Sequence, residues 1–262
     1  MELDIKNLDQ LKAIGAAEEG NQAYDIIPLP SKGLFYPNKK SSIKVAYLTA
    51  ADENILLSPN LAQSGKMLDV LLDRKVLDKD INIKSLLNGD RDAILVFLRT
   101  SGYGNIYPVK LKDPKTGQDF DYDVDLNEIK YKEIVTPDDN GEFLMKLPIS
   151  QSTIKFRMLT IGEIDEIEAI EEKKKKMYKN HIDETLTRRL ERIIMEIDGD
   201  RDKGRIAYFI SKMKIGDSSF LRRTYSKFEP GIDLSLEVEA PSGEFFRTTI
   251  PILISFFYPD IE

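Results

Sequence analysis

No cysteine occurs among the 262 residues, and histidine occurs once, at His181. Without thiols there is no disulfide, no thiolate nucleophile and no zinc–thiolate centre, a composition compatible with a reducing compartment. A single imidazole rules out a His-rich metal site, and its place in a polar stretch between two helical segments favours a surface position over general-base duty. Long apolar runs are also missing: none approaches the roughly 18 residues that a membrane-spanning helix needs. The first residues lack the charged-then-apolar order of a secretory signal. Neither a glycine-rich phosphate loop nor a Gly-x-Ser-x-Gly elbow is present. Charge of one sign does not dominate either, since 38 basic and 45 acidic residues are mixed along the chain and leave a net charge of −7. No uniform field would gather nucleic acid around such a molecule, so that role requires a local patch.

What is present is an ordinary globular composition, 41% apolar and 32% charged, with enough Leu, Ile, Val and Phe to escape the disordered class. The chain is long enough for one large or two small domains. A near-repeat favours two. Ile43-Lys44-Val45-Ala46-Tyr47-Leu48-Thr49 returns as Ile154-Lys155-Phe156-Arg157-Met158-Leu159-Thr160, and Gly89-Asp90-Arg91-Asp92 returns as Gly199-Asp200-Arg201-Asp202. The two landmarks recur at almost one spacing, which points to a tandem duplication. The expected organisation is an N-terminal arm over residues 1–25, a first unit over 26–133 and a second over 134–262. Each unit is read as helices packed on a small antiparallel sheet or hairpin, an α+β fold.

In the first unit, Pro28-Leu29-Pro30-Ser31-Lys32-Gly33-Leu34-Phe35-Tyr36-Pro37 reads as a structured loop. A strand is expected over 43–48, a helix carrying Met67, Leu68, Leu71 and Leu72 on one stripe, and a shorter helix from Ala93 to Arg99. Phe120, Tyr122, Val124 and Leu126 alternate with Asp119, Asp121, Asp123 and Asp125, as in a half-buried strand. Residues 130–142 read as the link between units. In the second, Ile164, Ile167 and Ile170 mark one helix face, and Leu186, Leu190, Ile193, Ile194 and Ile197 a stronger one, with Asp183 as a plausible cap. Asp217 is placed to cap a later helix that Pro230-Gly231 ends.

Three constellations invite chemistry. Asp198, Asp200 and Asp202 alternate as calcium ligands do, but Lys203 stands where an EF-hand needs glycine and Phe209 where it needs a bidentate glutamate. A turn whose aspartates begin the next helix explains them better. Asp121, Asp123 and Asp125 are likewise explained as the solvent face of a strand. Lys173 to Lys176, with Arg188 and Arg189, form the one basic concentration, and Glu171 and Glu172 precede the lysines at the spacing of helix-face ion pairs. Paired acids from a pool of 45 carboxylates leave a carboxylate hydrolase open as a further class. The sequence nominates no catalytic, cofactor-binding or metal-ligating residue.

The C-terminal segment Pro251-Ile252-Leu253-Ile254-Ser255-Phe256-Phe257-Tyr258-Pro259 concentrates three aromatics, which are either core or a docking surface. Together with Met213 to Arg223, Glu229-Pro230-Gly231-Ile232-Asp233 and the hairpin turn around Pro241-Ser242-Gly243, it resembles the baseplate protein family of contractile-tailed, T-even-like bacteriophages, which includes the baseplate hub assembly protein. Leu29-Pro30-Ser31-Lys32-Gly33 with Tyr36-Pro37 is similar to family N-termini. Where the family often carries Cys-x-x-Cys at its hairpins, the turns here are Asp113-Pro114-Lys115-Thr116-Gly117 and Ala240-Pro241-Ser242-Gly243, so turn chemistry replaces any metal.

The resemblance implies a non-enzymatic structural or assembly protein of the tail baseplate hub, made in the host cytoplasm, with a place in the virion tail baseplate open. Its implied partners are other tail or baseplate hub proteins, with tape-measure protein as a further candidate, and no cofactor, membrane or nucleic acid. The candidate contact residues are Phe35, Tyr36, Phe256, Phe257 and Tyr258, together with the arm. A nucleic-acid module built on Lys173 to Lys176 and a carboxylate hydrolase stand as alternatives.

Overall fold

In the computed structural model, which describes residues 22–252 and 254–257, the first element is a hairpin of β1 (Tyr24–Pro28) and β2 (Ser42–Ala46), with Ile27 opposite Ile43. Tyr24 and Asp25, expected in the arm, belong to this strand, and residues 1–21 lie outside the described residues. Ile43 and Val45 face the core while Lys44 faces solvent, the period-2 pattern of a half-buried strand. Thr49 then opens α1 (Ala50–Leu56), its N–H donating to the Asp52 carboxylate at 2.7 Å, so an orphan donor near the helix start is satisfied locally. The short α2 (Pro59–Gln63) leads to α3 (Met67–Lys75), which buries Met67, Leu71 and Leu72, the stripe expected from the sequence.

The helix expected from Ala93 to Arg99 is longer: α4 spans Asn88–Tyr103. Gly89-Asp90-Arg91-Asp92 is therefore its first turn rather than a loop before it. A hairpin follows, β3 (Ile106–Lys112) against β4 (Asp119–Asp125), whose five-residue turn closes with Gly117 N–H on the Asp113 carbonyl at 2.8 Å. Gly117 sits at φ 71°, a conformation that costs glycine little. The stretch read as a link contains β5 (Lys130–Tyr131), which pairs with the distant β9 (Ile232–Asp233).

The remaining elements are β6 (Glu142–Lys146), β7 (Thr153–Arg157), α5 (Ile161–Met177), α6 (Thr185–Ile193), β8 (Ile194–Ile197), α7 (Lys203–Lys212), α8 (Ile215–Phe228), β10 (Ser235–Glu239) and β11 (Phe245–Thr249). The order β6-β7-β8 makes the one three-stranded sheet among the described residues. The strong stripe expected to be one helix face is divided: Leu190 and Ile193 end α6, whereas Ile194 and Ile197 are strand residues paired on β7. The open edge of β7 offers ladder hydrogen bonds that β-branched residues accept readily. A helical continuation would have left that edge bare. Mixed helices and small antiparallel sheets make the fold α+β, as expected.

Two stretches of the chain pass through similar elements. β1 and β6 have five residues each, as do β2 and β7, and α3 and α6 have nine each. Thr160 opens α5 with a capping box to Glu163, as Thr49 does with Asp52. The capping acid is held in both places by an arginine of the later helix, Arg74 on Asp52 at 2.9 Å and Arg192 on Glu163 at 3.8 Å. Val76 bridges Val45, and Ile194 pairs with Phe156. One continuous apolar core takes in both stretches, from Leu29, Ile43 and Leu98 to Phe156, Leu221 and Phe257. Ile161 N–H donates to the Leu86 carbonyl at 2.9 Å, and Lys84 joins Asp69 of α3 to Asp165 of α5.

Candidate functional site

At the first turn of α4 a buried carboxylate organises the proline-rich loop between β1 and β2. Asp90, the third residue of the helix, accepts the Ser31 N–H at 2.8 Å and the Tyr36 hydroxyl. The same hydroxyl accepts the Leu87 N–H at 3.1 Å. Burial raises the Asp90 pKa, and burial followed by the Asp90 charge holds the Tyr36 hydroxyl far above its ordinary value. Tyr36, nominated as a contact residue, is thus an internal cross-brace of the loop.

The first turn of α8 has the same construction. Asp217, expected to cap that helix, is instead its third residue, with Lys214 at the cap. It is fully buried, and its carboxylate accepts the N–H groups of Ile149 and Ser150, at 2.8 and 2.9 Å, from the loop between β6 and β7. Sequence reading missed this role because a carboxylate near a helix start predicts local capping. The residues it holds lie 68 and 67 positions away.

The two first turns differ in what covers them. A Cβ on Gly89 would overlap the Pro230 carbonyl and the Gly231 Cα, so the turn after α8 lies directly on the start of α4. Beside this joint is a cavity of about 260 Å³ lined by Asp92, Lys132, Glu229 and Asp233 among others. Burial raises the pKa of both Asp92 and Glu229, Asp92 adds to the rise at Glu229, and Lys132 opposes it at both. Here both are pushed the same way, in keeping with a packed joint. Over the start of α8, by contrast, Gly216 meets, among the described residues, only the Ile149 side chain, and Ile149 and Ile215 are 56% and 86% exposed.

The other nominated residues are dispersed. Phe35 is half-buried and its ring lies 5.9 Å from that of Phe143. Phe256 and Phe257 are fully buried, Phe256 edge-on to Tyr107 at 4.9 Å. They take the core role that was open to them, and Tyr258 lies outside the described residues. The basic concentration is largely met by acids. Lys174 pairs with Glu184, Lys176 with Glu172, Arg188 with Glu171 and Glu184, and Arg189 with Glu168. Glu171 accepts the Glu184 N–H and contacts Arg188 and His181, which lowers its pKa to about 2.

The aspartate trio is spent on backbone. Asp198 accepts Thr153 N–H at 2.7 Å, Asp200 accepts Asp202 N–H at 2.8 Å and Asp202 caps α7 through Arg205 N–H at 2.8 Å. No group of three or more His, Cys, Asp or Glu side chains among the described residues is placed to hold a metal. No helix among them is long and apolar enough to cross a membrane.

The family model described as T4 bacteriophage base plate protein matches residues 30–241. The matched range runs from the loop held by Asp90 to the turn of the last hairpin. No curated protein and no solved structure matches the chain in the corresponding comparisons.

Proposed function

The chain belongs to the T4 bacteriophage base plate protein family, and from that premise we propose that it serves the baseplate hub, as a structural part or an assembly factor, through protein–protein contacts. The observation that carries this reading is the family match over residues 30–241. Family membership makes it a phage baseplate structural protein. The hub, as its place within the baseplate, is our own assignment. Its partners are other tail or baseplate proteins, and its assembly role is exercised in the host cytoplasm.

Two copies of one unit build the molecule. Support comes from paired details: the capping boxes at Thr49 and Thr160, the arginine clamps on Asp52 and Glu163, and the buried Asp90 and Asp217, each preceded by glycine and each holding the loop of the preceding hairpin. In this register Gly89-Asp90 corresponds to Gly216-Asp217, not to Gly199-Asp200. The stretch from Met195, after the residue that matches Val76, through α7 is then an insertion in the second unit. Contacts to partners use exposed surface, to which the half-buried Phe35 contributes the accessible part of its ring.

A pull-down of the tagged full chain from cells co-expressing tail genes tests the reading, with stoichiometric recovery of another tail or baseplate protein expected. Recovery of nucleic acid, or of nothing, overturns it. Mass spectrometry of purified particles then separates a virion part from an assembly factor that departs.

A further inference from the structure

Inside the chain, the start of the first long helix is covered by the turn that ends the last one. Gly89 packs on Pro230-Gly231, and Ser31, in the loop held by Asp90, is fully buried. This contact runs head to tail, from the helix start of one unit to the helix end of the other. It leaves two surfaces over. One is the start of α8, with Ile149, Ile215 and Gly216, the positions that match Ser31, Asn88 and Gly89. The other is the turn after α4, where Gly104, as far before Gly231 in sequence as Gly89 is before Gly216, has no described residue within 4 Å of an added Cβ, while Ile106 is 51% exposed.

We infer that the Ile149–Ile215–Gly216 face docks the Tyr103-to-Ile106 turn of a second copy of this chain, repeating between chains the contact that Gly89 and Gly231 make within one.

Residue chemistry on the two faces supports this. The covered start of α4 carries polar Ser31 and Asn88, whereas the bare start of α8 carries two isoleucines at the matching places. Solvation alone favours the reverse assignment, since apolar area gains from leaving water. Gly216 lacks a side chain as Gly89 does, and what lies over it is the flexible end of Ile149, which must swing aside for a backbone turn to approach closely. The hairpins give a second line of support. Phe120 and Phe246, which match each other in the two units, meet edge to face at 6.4 Å, and Ser242 donates to Asp113 at 3.0 Å. Matching residues meet where a rotation relating the units has its axis, and dissimilar faces meet away from it. A head-to-tail contact of this kind either closes into a ring or extends until something stops it. This inference rests on the two-unit register, not on which tail protein the chain binds.

The absence of cysteine makes the test clean. Ile215→Cys and Ile106→Cys are prepared as separate full-length proteins and mixed under mild oxidation. Their intramolecular counterparts, Asn88 and Asp233, line one cavity. A mixed disulfide dimer well above the homodimers of either variant alone is the expected result. No excess of the mixed dimer overturns the proposal. In parallel, sedimentation of the wild-type chain should give a mass above the 29.9 kDa monomer that rises with concentration. Ile215→Asp, at an exposed site, should return it to monomer at the same concentrations. A wild-type chain that stays monomeric throughout, or an Ile215→Asp chain that still associates, also overturns it. Neither failure touches recovery of tail proteins in the pull-down, so the two readings fall separately.

Discussion

Asp217 reaches back 68 residues to accept the N–H of Ile149 at 2.8 Å, and so fixes the loop between β6 and β7 onto the first turn of α8. The bond is charge-assisted and the carboxylate has no exposure, so its alternative partner is not water. Asp217→Ala leaves two loop N–H groups without acceptors and should cost about 2–4 kcal/mol, at about 1–3 kcal/mol for each unsatisfied group with partial relief from solvent. Asp217→Asn keeps one acceptor and should cost less. Urea unfolding of the three proteins checks the order.

Gly89 and Gly216 occupy the same place in their helices and should respond oppositely to alanine. At Gly89 the new methyl meets the backbone of Pro230 and Gly231, which cannot turn aside. A loss of about 1–3 kcal/mol or more is expected there from overpacking. At Gly216 it meets, among the described residues of its own chain, only the end of the Ile149 side chain, and the gain in helix propensity, at most about 1 kcal/mol, should leave Gly216→Ala neutral or slightly stabilised when measured in the monomeric Ile215→Asp background. Equal losses at both sites would contradict the geometry.

The C-terminal aromatics should behave as core. Phe256→Ala removes a ring with no exposed surface and should destabilise by about 3–5 kcal/mol. Phe35→Ala, at a half-buried ring, should cost clearly less. Thermal melts of the two variants separate a packing role from a docking one.

Two glutamates should shape the pH profile in opposite senses. Glu171 titrates near 2 when folded, against 4.5 for the ordinary side chain. Its contribution to stability is therefore complete above pH 4.5 and disappears as the pH falls toward 2. Glu171→Gln should flatten that acid limb while lowering stability at neutral pH. Glu229 has its pKa raised by burial, with Asp92 adding to the rise. The folded state holds that proton longer, so stability falls as the pH rises from 4.5 through the folded value. Glu229→Gln should remove the fall and gain stability at pH 7. Denaturation midpoints between pH 2 and pH 8 read both effects.

Tyrosine should govern the alkaline limb. Tyr36 and Tyr225 are both raised by burial, Tyr225 to about 12. The unfolded chain then loses those protons first as the pH passes 10, and stability declines above that point. Tyr36→Phe should make the decline shallower, even as loss of the bond to Asp90 costs about 1.5–3 kcal/mol at neutral pH.

The sequence alone determined the elements whose signals are local. Alternation of Phe120, Tyr122, Val124 and Leu126 gives a strand because side chains on extended backbone alternate faces. Thr49 and Thr160 with an acid three residues on announce helix starts, and Pro-Gly turns announce hairpins. Family membership was legible too, since it rests on runs of residues in order. Tertiary structure decided whatever depends on a partner far along the chain. Ile194 to Ile197 continue a helical stripe by spacing, yet the unpaired edge of β7 drew them into a strand. Asp217 looks like a cap in sequence but, like Asp90, is an anchor in space, because the N–H groups they satisfy belong to loops more than fifty residues earlier. The same holds for close approach: Gly89 and Gly216 are one residue type at one helix position, yet Pro230-Gly231 packs on the first and the flexible Ile149 side chain lies over the second.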